Sequence, residues 1–127
     1  MRILLLMICF GLLGCVAGIT PAINMDEIDA DVQKALQLYP ATTDYRVLIV
    51  PDAEAVEAEH IRIYGVECNR PAFYSIREDL IVVPRDCTLQ MIYHEAGHAV
   101  VEAYFKAPVP RWLHERLAQR AEGKASR

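Results

Sequence analysis

The chain has 127 residues, enough for one domain with a modest hydrophobic core. It is 54% hydrophobic and 24% charged, a composition that excludes extensive disorder. The net charge of −4 is opposite to that of a nucleic-acid-binding surface, so we expect no nucleic-acid partner.

The N-terminus predicts an exported protein. Arg2 is the only charged residue before Asp26, and an almost unbroken apolar run extends from Ile3 to Ile19. A positive start, an apolar core and a small-residue end are typical of a secretory signal peptide, which we place at residues 1–18. A short linker over 19–24 and one domain over 25–127 would follow.

Three fates of this signal are compatible with its sequence. Leu12-Leu13-Gly14-Cys15 resembles the lipobox of bacterial lipoproteins, which would make Cys15 a lipidated N-terminus and a membrane anchor. Cleavage after Gly18 would release a secreted domain, and an uncleaved segment would remain as an anchor. In each case we expect the domain outside the cytoplasm, in the bacterial cell envelope or secreted.

The first half of the domain combines one helix with short strands. Asn24 can cap a helix from Met25 to Leu38 that Pro40 ends. The segment Tyr45–Val50 predicts a strand, and the alternating segment His60–Val66 predicts a second one. Residues 53–59 between them are compatible with a short helix or a loop.

A hairpin and a disulfide are predicted next. Two strand-like runs over 72–76 and 80–84 flank a polar turn at 77–79. Cys68 and Cys87 lie symmetrically about this turn, so a hairpin would bring them together at its open end. An even pair of cysteines in an exported domain favours a disulfide, and two buried free thiols are the alternative.

Two helices complete the domain. The first is predicted over Thr88–Lys106, the second over Arg111–Glu122, and a Pro-rich break at 107–110 separates them. The fold class is therefore α+β, with a small, mostly antiparallel sheet and an edge hairpin packed on these helices.

The long helix contains the motif His-Glu-x-x-His at residues 94–98. Residues four apart lie on one face of a helix, so His94 and His98 can bind one zinc ion. A carboxylate after the first histidine can take a proton from a water that the metal activates, and Glu95 occupies that position. Gly97 is a poor helix former, which indicates close approach of another element.

A third ligand has to come from the few acids that follow. Tyr104 stands where a third histidine would follow at six residues, and no Asp occurs after Asp86. Glu102 lies about 12 Å along the helix from His94 and fits a solvated position or one beside a ligand. Glu115, in the middle of the last helix, and Glu122, at its end, remain.

The combination of His94-Glu95-x-x-His98 with Trp112-Leu113-His114-Glu115-Arg116-Leu117-Ala118 resembles the gluzincin metallopeptidases in their minimal, single-domain form. The resemblance implies a zinc-dependent endopeptidase rather than an exopeptidase. It implies one Zn²⁺ held by His94, His98 and Glu115, and Glu95 as the general base. The partner would be a peptide or protein substrate bound in extended form along the edge strand, here the hairpin of residues 72–84.

The chain departs from that family in two respects. Arg116 replaces the usual Gly after the ligand, where it could narrow the cleft or recognise a substrate carboxylate. We also expect no C-terminal helical subdomain of the kind that supplies a Tyr or His to stabilise the oxyanion in that family; the candidates here are Tyr74, Tyr93, Tyr104 and His114, in no order. Gln119 is a candidate partner of a ligand or an exposed residue, and Trp112 is expected to pack in the core.

Two other interpretations remain open. One is a catalytically inactive, zinc-stabilised binding or assembly module of the envelope, favoured by the small size and by Arg116. The presence of Glu95 disfavours this inactive module, because a structural zinc site does not require that carboxylate. The other is a metal-independent envelope lipoprotein. The sequence indicates neither the substrate nor the oligomeric state.

Overall fold

The computed structural model describes residues 23–125. The predicted signal peptide, with Cys15, lies outside these residues, as does most of the linker predicted over 19–24. Within residues 23–125, no helix is both long enough and apolar enough to cross a bilayer.

The predicted α+β class is confirmed. The described elements are α1 (Met25–Leu36), β1 (Arg46–Val50), α2 (Ala53–Tyr64), β2 (Phe73–Ser75), β3 (Leu80–Pro84), α3 (Leu89–Phe105) and α4 (Arg111–Glu122). The strand order is β1-β3-β2, and β3 in the centre is buried along its whole length. The sheet is mixed rather than mostly antiparallel as predicted, since β3 pairs in parallel with β1 over five residue pairs and antiparallel with β2 over three. The chain between β1 and β3 includes the helix α2, and such a crossover allows these two strands to run in parallel.

The predicted strand over His60–Val66 is wrong, because residues 60–64 form the last part of α2. Asp52 caps the helix by accepting a hydrogen bond from the backbone N–H of Ala55, and Gly65 ends it at a positive φ of 73°. In a strand, Ile61 and Ile63 would share one face. In the helix they point apart, so Ile63 is buried and Ile61 is 43% exposed. The alternation over so few residues is therefore compatible with a helix as well as with a strand.

The hairpin is confirmed, with β2 and β3 joined by a turn at residues 76–79. The predicted disulfide is not formed, because Cys68 and Cys87 are both free thiols. Their separation has a simple cause. The ladder ends at the pair Phe73 and Val82, and the chain before β2 leaves it. Cys68 then packs in the cluster around Phe73, whereas Cys87 packs in the cluster around Ile81 on the other face of the sheet.

Helix α3 is fixed at both ends and along its length. The Thr88 side chain caps its start by accepting a hydrogen bond from the backbone N–H of Met91. The helix ends at Lys106, which takes a left-handed conformation, and two prolines at 108 and 110 prevent its continuation. The Tyr93 hydroxyl donates to Asp31 at 2.8 Å and ties α3 to α1.

Helices α3 and α4 approach each other closely at Gly97, as its low helix propensity indicated. A Cβ atom on Gly97 would stand 2.9 Å from the Cβ atom of Ala121 and 3.0 Å from the Cα atom of Ala118. Both alanines are fully buried. Only hydrogen fits in this space, so the absent side chain lets the two helices touch along the row that contains His94 and His98. We call this the Gly97 contact.

We expect Gly97→Ala to lower the free energy of unfolding by about 1 kcal/mol, as measured by urea denaturation of the full-length chain. Overpacking costs ~1–3 kcal/mol, which exceeds the ~1 kcal/mol that Ala gains as a helix former. Gly123→Ala is the matched control. Its added Cβ would be 3.5 Å from the nearest atom and its φ of −60° suits alanine, so stability should stay equal or rise. A Gly97→Ala variant as stable as the wild type would contradict the close approach.

Candidate metal centre

Three side chains from two helices converge beside the Gly97 contact. Helix α3 presents His94 and His98 one turn apart, and α4 presents Glu115 opposite them. The Nε2 atom of His94 lies 3.5 Å from Glu115 Oε2, and that of His98 lies 3.6 Å from Glu115 Oε1. One ligand atom from each residue lies within 4.8 Å of the others, so the group could hold a metal ion. The structure thus brings together the ligand set that the sequence indicated.

A chain of hydrogen bonds fixes how the His98 ring is protonated. Glu102 can only accept, so the Nε2–H group of His114 donates to Glu102 Oε1 at 2.7 Å. In its neutral form His114 then has a lone pair on Nδ1, which accepts from the Nδ1–H group of His98 at 2.7 Å. The hydrogen of His98 is therefore on Nδ1, and the Nε2 lone pair faces Glu115.

His94 is oriented by a second carboxylate. Its Nδ1 atom lies 3.0 Å from Glu122 Oε2, which can accept the ring N–H. The lone pair on Nε2 is left on the side of Glu115. A histidine that binds a metal through one ring nitrogen commonly donates the other to a carboxylate, which fixes the tautomer and raises ligand basicity. Both histidines have this arrangement, His94 directly and His98 through His114.

Two hydrogen-bond acceptors face each other in the centre: the Nε2 atom of His98 and the carboxylate of Glu115. His98 is only 8% exposed, and its Nε2 atom has no hydrogen-bond partner within the described part of the chain. Burial, followed by the neighbouring His114, lowers the pKa of His98 to about 3, so the ring is neutral at pH 7. A neutral ring cannot donate from Nε2 while Nδ1 holds the hydrogen. The lone pair therefore faces an anionic carboxylate, an unfavourable contact that a bound cation would convert into two bonds.

Glu95 lies next to the three ligand candidates and is 7% exposed. Burial raises its pKa to about 7, and the raising is opposed by His94, by Arg70 and by a backbone hydrogen bond from Tyr74. A carboxyl group with this pKa can exchange a proton near neutral pH, which suits a general base or acid. Its position and burial are compatible with the role that the motif predicts.

A cleft of about 640 Å³ opens onto these residues. Strand β2 and the residue after it contribute Tyr74 and Ile76 to one wall, and the segment between α3 and α4 contributes the residues 106–109 to the other. Among the described strands β2 pairs only with β3, so its outer edge lies beside the cleft. This volume is within the range of small-molecule and short peptide sites.

Three further expectations about α4 have clear outcomes. Trp112 is 66% exposed, so the expected core packing is wrong. Gln119 is exposed, and Glu122, three residues later, is the ring partner of His94. Arg116 is exposed and is not one of the described residues that line the cleft, so it does not narrow it.

The roles of His114, Glu102 and Glu122 were not assigned by sequence reasoning. The spacing of Glu102 excluded it as a ligand and left a place beside one, which the structure confirms through His114. Glu122 lies seven residues after Glu115 and so on the same face of α4, a signal that could have identified it. Arg70 was missed, because nothing local marks a loop arginine; its Nη1 atom lies 3.9 Å from Glu115 Oε1.

Comparison with known proteins adds no assignment. The chain matches no family model, no curated protein and no solved structure. Any functional conclusion therefore depends on the chemistry of the centre itself.

We expect Glu102→Ala and Glu122→Ala each to weaken Zn²⁺ binding about 10–100-fold, because each removes the acceptor that orients a histidine ring. Competition with a chromophoric chelator measures the affinity. Gln119→Ala, on α4 like Glu122, is the control and should leave the zinc affinity unchanged. Equal affinity in all three variants would show that the hydrogen bonds to the rings do not contribute to binding.

Proposed function

We propose that this protein is a zinc metallopeptidase of minimal gluzincin type that hydrolyses peptide bonds, with Glu95 as general base. The observation that carries the proposal is the convergence of the His94, His98 and Glu115 ligand atoms, with the unpartnered Nε2 atom of His98 among them. The buried Glu95 beside them supplies the second half of the argument.

Zinc is the metal that fits this donor set best. Two imidazole nitrogens and one carboxylate are a known set of protein ligands for catalytic zinc, which keeps its fourth position open. Tetrahedral bonds of ~2.0–2.1 Å place ligand atoms roughly 3.3 Å apart. The His–Glu separations of 3.5 and 3.6 Å, each to a different oxygen of Glu115, are close to that value.

Each residue of the centre then has a definite task. A zinc ion held there would act as a Lewis acid and lower the pKa of a water molecule to near neutrality. Glu95 would take the proton of that water as its oxygen attacks the scissile carbonyl carbon. It would then pass the proton to the nitrogen of the leaving amine. His114, Glu102 and Glu122 would keep the two ligand rings in place.

The cleft supports an extended peptide as substrate. The outer edge of β2 has backbone groups that can pair with an added strand, a common mode of peptide recognition. Tyr74 and Ile76 on this edge line the cleft together with Glu95. A substrate with its carbonyl near Glu95 would therefore lie along β2. Binding of an internal segment of the substrate in this way favours an endopeptidase. The signal-like N-terminus places this activity outside the cytoplasm.

The substitution Glu95→Gln tests the function. We expect it to abolish hydrolysis of fluorescein-labelled casein by the zinc-loaded full-length chain, at least 10²-fold, because the amide cannot accept the proton. Zinc content and the unfolding midpoint should remain close to those of the wild type. Glu54→Ala, an exposed residue on α2, is the control and should retain activity.

Other outcomes would separate the alternatives. Full activity in Glu95→Gln would exclude this residue as the base. A wild type that binds zinc and gains stability from it, yet hydrolyses nothing, would favour the zinc-stabilised binding module. A chain whose stability does not respond to chelators would favour the metal-independent lipoprotein.

A further inference from the structure

Attack of water on a peptide carbonyl places a negative charge on the carbonyl oxygen, and a second positive group near the metal commonly stabilises it. The tyrosines expected for this task are engaged elsewhere. The hydroxyl of Tyr74 donates to Asp79 at 2.7 Å, and that of Tyr93 donates to Asp31 at 2.8 Å. Tyr104 is 45% exposed and is not among the described residues that line the cleft.

His114 is also committed. Both of its ring nitrogens are used, one towards His98 and one towards Glu102, each at 2.7 Å. Turning its ring towards a substrate would break both hydrogen bonds and release the His98 tautomer. None of the four candidates from the sequence therefore has a free donor at the centre.

Arg70 has the free donors that these residues lack. It precedes β2 and lines the cleft together with Glu95, His98 and Glu115. Its partner among the described residues is Glu115, at 3.9 Å, which is longer than a hydrogen bond. Arg70, Glu95 and His98 therefore face the same cleft.

The contact with Glu115 also indicates that Arg70 can be released. Arg70 Nη1 and His98 Nε2 approach the same carboxylate oxygen, Oε1. A metal ion shared by His98 and Glu115 would neutralise this oxygen and weaken its attraction for the guanidinium. The side chain of Arg70 is 47% exposed and lines the cleft, so it has room to move towards a substrate. Lys106 and Arg111 line the cleft as well, but neither forms an ion pair with Glu115 in the described chain.

We propose that Arg70 is the catalytic residue that stabilises the oxyanion, an inference that rests on the proposed peptidase function. As the water oxygen bonds to the carbonyl carbon, the C=O π pair moves to oxygen and the water proton moves to Glu95. The planar guanidinium donates N–H bonds to that oxyanion. The pair then returns to re-form C=O, the C–N bond breaks, and the leaving nitrogen receives the proton from Glu95.

The test compares Arg70→Met, Arg70→Lys and the control Arg120→Met in the zinc-loaded full-length chain; Arg120 is exposed on α4 and is not among the described residues that line the cleft. The substrate is an internally quenched peptide derived from casein, blocked at both ends so that no terminal carboxylate can bind Arg70. We expect Arg70→Met to lower kcat about 10²–10³-fold with little change in KM, because the oxyanion exists only after attack. Arg70→Lys should retain part of kcat, and Arg120→Met nearly all of it.

Two readouts do not depend on turnover. Zinc content should be equal in all variants. The inhibition constant of a phosphonamidate analogue of the same peptide, whose tetrahedral anion resembles the oxyanion, should rise in Arg70→Met in proportion to the loss of kcat/KM.

Failure of this inference is distinguishable from failure of the proposed function. An active wild type with unchanged kcat in Arg70→Met would overturn the inference alone. A rise confined to KM, or loss of zinc from Arg70→Met, would overturn it too, in favour of substrate anchoring or a structural role. A zinc-loaded wild type without activity and without affinity for the phosphonamidate would overturn both.

Discussion

The Gly97 contact is the constraint on which the rest of the structure depends. Packed helices usually keep their axes 8–10 Å apart, because side chains separate them. Here α4 places Ala118 and Ala121 against a residue without a side chain, between the two histidines of α3. This close approach lies beside the ligands, and the carboxylate of Glu115, one turn before Ala118, reaches both rings. The same approach brings His114 to His98 and Glu122 to His94.

Hydrogen bonds between these helices orient the Nε2 lone pairs of His94 and His98 towards Glu115. Glu122 and the pair His114–Glu102 hold the outer ring nitrogens, which leaves both inner nitrogens as acceptors opposite Glu115. The carboxyl groups of Glu95, Glu102, Glu115 and Glu122 belong to this centre, and Arg70 is a cation beside it. In the absence of a metal, His98 Nε2 is therefore a buried acceptor facing an anion. The centre is therefore suited to bind a positive ion. This conclusion does not depend on any similarity to known proteins.

Patterns with a local physical cause were predictable from the sequence. The spacing of His94 and His98, the low helix propensity of Gly97 and the proline break before α4 indicated the helices and their close approach. Long-range features were not. The alternation in residues 60–66 fits a strand, and only packing selects the helix that buries Ile63. The symmetry of Cys68 and Cys87 matches the hairpin register, but the ladder ends before it reaches them. The positions of Arg70 and Trp112 depend on tertiary contacts, which leave no local signal.

The most direct test of the account is the zinc stoichiometry of the purified full-length chain, measured by elemental analysis for the wild type and for Glu115→Ala, with Glu54→Ala as control. We predict one zinc per chain in the wild type and in the control. In Glu115→Ala the zinc should be lost or held much more weakly, because two ligands remain of three. A wild type without zinc, or zinc that is indifferent to Glu115, would contradict the three-residue centre and every function proposed from it.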